Sequence, residues 1–114
     1  MGRLFVFFII FQTASQLQTV AESLELIEQG VVVVDVRTVE EFSTGALPNA
    51  INVPVTDLSF PFDIGKLDKE KPVLIYCKAG GRSARAALVM KALGFSTIYE
   101  LDGGYLSWQA NKQN

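Results

Sequence analysis

The run "VVVVDV", Val31 to Val36, narrows the available folds more than any other stretch of the chain. β-Branched side chains are stiff at χ1 and pack well on a pleated surface, so the run reads as a strand. A strand with one wet face alternates apolar and polar residues. This one does not alternate, so both faces are covered, as in a parallel sheet flanked by helices. "PVLIYC", Pro72 to Cys77, repeats the pattern, and "AINVP", Ala50 to Pro54, is a shorter version closed by its proline. "STIYELDGG" gives a further strand and turn.

Helical patterns separate these strands. "LQTVAESLELIEQ" spaces Leu17, Val20, Leu24 and Ile27 at helical intervals before a stop at Gly30, with a short strand expected near Leu17 to Val20. In "TVEEFSTG", Thr38 caps a short helix, Glu41 completes a capping box and Gly45 ends it. "DLSFPFDIGKLDKEK" is a polar, proline-interrupted connection with one short helix. "RSARAALVMKALG" places Ala86, Val89, Met90 and Leu93 on one side, with Gly94 at the stop. "YLSWQANK" closes the chain as a helix with Tyr105 and Trp108 facing inward. Strand and helix alternate throughout, which predicts an α/β fold with a mostly parallel sheet and helices on both faces.

The 114 residues suffice for one compact domain, expected over residues 16–114. Residues 1–15 read differently. Arg3 precedes an unbroken apolar run from Leu4 to Phe11, and Thr13 and Ser15 are small residues suited to a cleavage point. That is the layout of an export signal and predicts a periplasmic or exported protein; a buried strand in a cytoplasmic protein is the alternative. The run is too short to span a bilayer as a helix. A formal net charge of −2 without a basic run argues against a nucleic-acid partner. One cysteine excludes an internal disulfide, and with no histidine beside it no zinc site of the usual ligands is expected. The missing histidine also removes the usual general base near neutral pH. Chemistry here needs a nucleophile that ionises by itself.

Cys77 is that candidate. It ends a strand, where α/β folds hold their ligands. A free thiol titrates near pH 8.5. The loop "CKAGGRS" carries features that lower this value. A helix starting near Arg82 or Ser83 points its free amides back at the loop. Gly80 and Gly81 permit positive φ, so successive amides can converge on an anion. Lys78 and Arg82 flank the thiol, and Lys78 to Lys91 holds four basic residues and no acid. The plain alternative is a small buried hydrophobe.

A phosphatase of this design spaces its cysteine and arginine as Cys-x5-Arg. Here residue 83 is serine and the spacing to Arg82 is Cys-x4-Arg, a tighter cradle. Sulfur transfer demands less. A thiolate attacks the outer sulfur of thiosulfate, sulfite departs, and the cysteine persulfide passes its outer sulfur to cyanide or a thiol. No histidine, metal or cofactor is needed.

Four segments together resemble the rhodanese-like single-domain sulfurtransferases: "VVVVDVRTVEEF", "GALPNAINVP", "VLIYCKAGGRSARAA" and "LDGGYLSWQ", in the family's order and spacing from about Leu17 to Lys112. The resemblance implies a five-stranded parallel sheet, a persulfide on Cys77, and a sulfur site lined by the backbone of Lys78, Ala79, Gly80, Gly81 and Arg82. It also implies that a six-residue loop goes with sulfur transfer, and a loop longer by one with phosphatases. The partners implied are a small sulfur donor and acceptor (thiosulfate, cyanide or a thiol), with a protein thiol as a further acceptor. The chain departs where the family has histidine, at Ala46, and where it has glycine, at Asn49.

Asp35 and Arg37 leave their strand at the same sheet end as Cys77. They read either as support for the active loop or as structural residues, with Arg37 reaching Glu41 one helical turn on. Arg82 reads as a clamp for a substrate oxyanion, Ser83 as a cap for the following helix and the last substrate-binding residue of the loop, and Arg85 as a rim charge. A non-catalytic partner-binding module and a cysteine phosphatase or arsenate reductase stand as alternatives to the transferase.

Overall fold

The computed structural model describes residues 14–112. Along the chain it forms β1 (Gln16–Gln18), α1 (Val20–Glu28), β2 (Val32–Asp35), α2 (Val39–Ser43), β3 (Ile51–Asn52), α3 (Phe60–Ile64), β4 (Val73–Tyr76), α4 (Gly81–Ala92), β5 (Ile98–Leu101) and α5 (Gly104–Lys112). The strands make one five-stranded sheet in the order β1-β5-β4-β2-β3. Every pairing is parallel, with Val34 opposite Ile75 and Ile75 opposite Glu100.

The period of two along each strand divides the core. Val34, Val73, Ile75, Cys77 and Ile98 face one side, where Ala86, Ala87 and Met90 of α4 and Phe60 and Ile64 of α3 cover them. Val33, Leu74, Tyr76 and Leu101 face the other, against Trp108 of α5, with Val20 and Ile27 of α1 packed on them. Full burial of each such side chain contributes about 1.5–3 kcal/mol, which is why the central strands tolerate no polar alternation.

The capping box predicted for Thr38 and Glu41 forms. A second, Thr19 with Glu22, opens α1 and was not anticipated; it separates Leu17, which lies in β1 and is 64% exposed, from the helix. α4 begins at Gly81, with Gly80 as its N-cap residue and no side-chain cap. Ser83 therefore lies inside the first turn and is not the cap expected of it. Asn49 holds a left-handed φ of 62°, the conformation for which glycine is the usual residue.

The apolar stretch Leu4 to Phe11 lies outside the described residues. Ser15, grouped above with the leader, is engaged by the fold: its hydroxyl donates to Glu100 Oε2 at 2.6 Å. No helix among the described residues is long and apolar enough to cross a membrane.

Candidate active site

Strand parity sets the direction of the thiol. Val73, Ile75 and Cys77 alternate onto the α4 side, so Sγ points at the start of that helix. The chain then turns through Lys78 and Ala79, both exposed, and reverses at Gly80 with φ +127°. Residues with a Cβ rarely adopt that angle. The reversal brings amides back to the sulfur: Gly80 N–H donates to Sγ at 3.1 Å and Ser83 N–H at 3.3 Å. The Ser83 hydroxyl stands 3.6 Å from Sγ. Gly81 needs no positive φ; it is the first residue of α4, and only Gly80 supplies the left-handed turn expected of the pair.

These contacts decide the state of the thiol. Cys77 is 1% exposed, and burial pushes its pKa up. Hydrogen bonds from the Ser83 hydroxyl and from the amides of Ser83, Gly80 and Ala79 more than offset that, so the thiol titrates below its ordinary value. The helix start and the turn together form an anion nest.

The cations contribute less than the sequence implied. The Arg82 guanidinium makes a two-pronged bond to Glu41, at 2.7 Å from Nη1 and 3.0 Å from Nη2, so the oxyanion clamp expected of Arg82 is already engaged. This pair pulls the Glu41 carboxyl down to about 2, the Arg82 hydrogen bond being the main cause. It also ties the loop to α2. Glu41 is thereby not the partner of Arg37, contrary to the pairing expected. Lys78 and Arg85 enter no ion pair among the described residues.

Arg37 instead folds back on Asp35, with Nη2 at 2.6 Å from Oδ2, and donates to the Gly45 carbonyl at 2.6 Å. The pair lies on the sheet face opposite the thiol. Tyr76 O–H donates to Asp35 Oδ2 at 2.6 Å and accepts from Leu47 N–H at 3.1 Å. Burial first, and then this bond to Asp35, push the Tyr76 phenol far up. Arg37 sits 4.3 Å from the Tyr105 ring centre, a cation–π contact. The α5 start completes the link to the loop: Tyr105 N–H donates to Cys77 O at 2.8 Å and Leu106 N–H to Lys78 O at 3.1 Å. Asp35 and Arg37 thus reach the loop from behind, through Tyr105 and the loop's own carbonyls.

Sequence reasoning passed over Glu100. It is buried in β5, and its Oε1 accepts from the Ser83 hydroxyl at 3.3 Å. The signal was present: in "STIYELDGG" the glutamate shares the inward parity of Ile98. Tyr76 was read only as part of an apolar strand. Among the described residues no three histidine, cysteine, aspartate or glutamate side chains gather as a metal site would require.

Comparison with known proteins agrees with this fold. The chain matches the rhodanese-like domain family over residues 19–111. It is 36% identical over 83 residues to "Thiosulfate sulfurtransferase GlpE" of Pseudomonas savastanoi pv. phaseolicola, spanning 73% of this chain and 76% of that protein. It is 31% identical to "tRNA uridine(34) hydroxylase" of Pelagibacter ubique over 74% of this chain but 28% of that one. Among solved structures, a rhodanese-related protein from Thermoplasma volcanium superposes with a TM-score of 0.73 at 31% identity, covering 84% of this chain and 92% of that one.

Proposed function

The chain belongs to the rhodanese-like family of sulfurtransferases, and from that premise we propose that it moves sulfane sulfur from thiosulfate or a persulfide donor through Cys77. The Cys77 thiolate attacks the outer sulfur of thiosulfate. An S–S bond forms on the cysteine, the S–S bond of thiosulfate breaks, and sulfite leaves with the bonding pair. The product is an ionised persulfide held by the loop. Cyanide or a thiolate then takes the outer sulfur, giving thiocyanate or a new persulfide, and the Cys77 thiolate returns. A protein thiol serves as acceptor in the same way.

The observation that carries the reading is the convergence of the Gly80 and Ser83 amides and the Ser83 hydroxyl on one sulfur. The arrangement stabilises an anion at the start, in the intermediate and at the end. A purely binding module has no use for it. The phosphatase alternative has less support, because Arg82 is bound to Glu41 and the loop has the Cys-x4-Arg spacing. The segment Arg3 to Phe11 supports export on sequence pattern alone; sequencing the mature amino terminus from native cells tests it.

The test of the transferase is intact-protein mass after incubation with thiosulfate. The expected result is the gain of one sulfur atom, absent in Cys77→Ala, with thiocyanate formed on adding cyanide. No mass gain and no thiocyanate refutes it. Phosphate-ester hydrolysis that disappears in Cys77→Ser would establish the phosphatase instead.

A further inference from the structure

A hollow of about 220 Å³ opens beside the loop, at the carboxyl ends of the strands, where α/β folds hold ligands. Arg37, Glu41, Lys78, Tyr105, Leu106 and Gln109 line it. The start of α5 builds one wall. There the Tyr105 and Leu106 amides donate to the carbonyls of Cys77 and Lys78, so the hollow is fastened to the backbone of the nucleophile. Glu41 belongs to another wall and is bonded to Arg82, at the far end of the loop. The hollow thus adjoins the loop at both of its ends. Arg82 feels the charge of Cys77 on one side and of Arg37 on the other, so thiol and hollow lie within electrostatic reach of one guanidinium.

The charges of the lining reduce to one. Arg37 is bound to Asp35, and Glu41 to Arg82. Lys78 is exposed and enters no ion pair among the described residues. Its ammonium is the charge left to meet a ligand, so the hollow favours an anion. Gln109, also exposed, lies one helical turn beyond Tyr105 and offers amide N–H groups that suit a carboxylate oxygen. The Tyr105 ring and the half-exposed Leu106 give an apolar side. A lining of this make-up takes a short carbon chain that ends in a carboxylate.

Size decides which reactant that is. Thiosulfate and cyanide are far smaller than the hollow and do not fill it while reacting at Cys77. A thiol with a carboxylate a few bonds away reaches both places, its sulfur in the loop and its carboxylate in the hollow. Cys77 is 1% exposed, so an acceptor gains from a hold outside the loop that aims its sulfur inward. We propose that this hollow is the subsite of the sulfur acceptor, and that it selects low-molecular-weight thiols bearing a carboxylate, held by Lys78 and Gln109. The acceptor thiolate attacks the outer sulfur of the Cys77 persulfide. A new S–S bond forms on the acceptor, the persulfide S–S bond breaks, and its electron pair stays on Cys77 Sγ as the thiolate. The acceptor leaves as a persulfide, and no external oxidant or reductant takes part. The assignment of an acceptor rests on the transfer proposed above; binding of the carboxylate is a property of the resting protein.

The test first confirms by mass that thiosulfate loads Cys77. It then compares steady-state transfer to mercaptopropionate and to its alcohol analogue mercaptopropanol, each corrected for its thiolate fraction. Wild type should show kcat/KM higher for the acid by about three- to tenfold, with the difference in KM. Lys78→Gln should bring that ratio near one, and Lys78→Arg should keep it. Arg85→Gln removes an exposed cation of α4 that does not line the hollow, and should leave the ratio unchanged. Equal values for the two thiols in wild type, a ratio retained in Lys78→Gln, or a ratio lost as fully in Arg85→Gln overturns the proposal. A second readout needs no transfer. The S-methyl ether of mercaptopropionate, which cannot accept sulfur, should shift the Gln109 side-chain amide and the Leu106 N–H resonances of the resting protein at millimolar concentration. Unmoved resonances also overturn the subsite. Failure of thiosulfate to load Cys77 counts against the transferase, while this binding measurement still decides the hollow.

Discussion

Gly104→Ala is the substitution by which this account of the loop is most exposed to refutation. A Cβ at residue 104 would lie 2.5 Å from the Lys78 carbonyl oxygen and 2.6 Å from the Cys77 carbonyl oxygen. Ordinary contact begins at 3.4 Å, so the shortfall is about 0.9 Å. Both obstacles are backbone and cannot rotate away. The residue also holds φ +62°, where alanine loses roughly 1 kcal/mol against glycine. Forcing an extra carbon into such a contact adds about 1–3 kcal/mol, for a total of about 3 kcal/mol. The displaced groups are the acceptors of the Tyr105 and Leu106 amides, so relief of the clash moves the nucleophile's own backbone. A displacement approaching 1 Å near reacting atoms costs about 100-fold in rate. The assay is urea denaturation alongside sulfur transfer from thiosulfate to cyanide. The expected outcome is a midpoint lower by more than about 1 M and turnover reduced about 10- to 100-fold. Gly81→Ala is the control for stability: a Cβ there meets nothing within 4 Å and φ is not positive, so the urea midpoint holds. A Gly104→Ala protein with wild-type midpoint and turnover would refute the clamp of α5 on the loop.

Glu41→Gln removes the partner of Arg82. Glu41 titrates at about 2 against an ordinary 4.5, so its stabilisation is complete above about 4.5 and is lost as pH falls through about 2. The pair is partly exposed, which limits it to about 1 kcal/mol. Denaturation across acid pH should show the variant weaker at neutrality and converging on wild type as pH falls below about 2; a constant difference contradicts the linkage. Tyr76→Phe leaves Asp35 Oδ2 and the Leu47 amide short of a buried partner, and thermal unfolding should show a loss of about 1–3 kcal/mol. Ser83→Ala removes a hydrogen-bond partner of Sγ, and the pH at which transfer reaches half its maximum should move upward; an unchanged profile would exclude Ser83 from thiolate stabilisation.

The sheet was legible because its central strands carry a local signature. Val31 to Val34 and Val73 to Tyr76 are apolar without alternation, and nothing but double coverage suits such runs. Cys77 was legible for the same reason, as the end of one of those strands. What escaped depends on partners far apart in sequence. Arg82 meets Glu41, and Tyr76 meets Asp35, each across 41 positions. Local spacing instead offered Arg37 to Glu41, a pairing open to any helix start. Ser83 looked like a cap because caps are read from neighbours, whereas its hydroxyl is placed by β4 and β5. Arg82 reads from sequence as a free cation because sequence shows charge and not its neutralisation by Glu41. The thiol is held down by the Ser83 hydroxyl first and then by amides whose direction depends on the φ of Gly80.

The most direct test of the central claim is to titrate the single thiol twice, once in the native protein and once in denaturant. The account predicts a native midpoint below the unfolded one, since the loop's hydrogen bonds outweigh burial only while the loop is formed. A native midpoint equal to or above the unfolded value would contradict it.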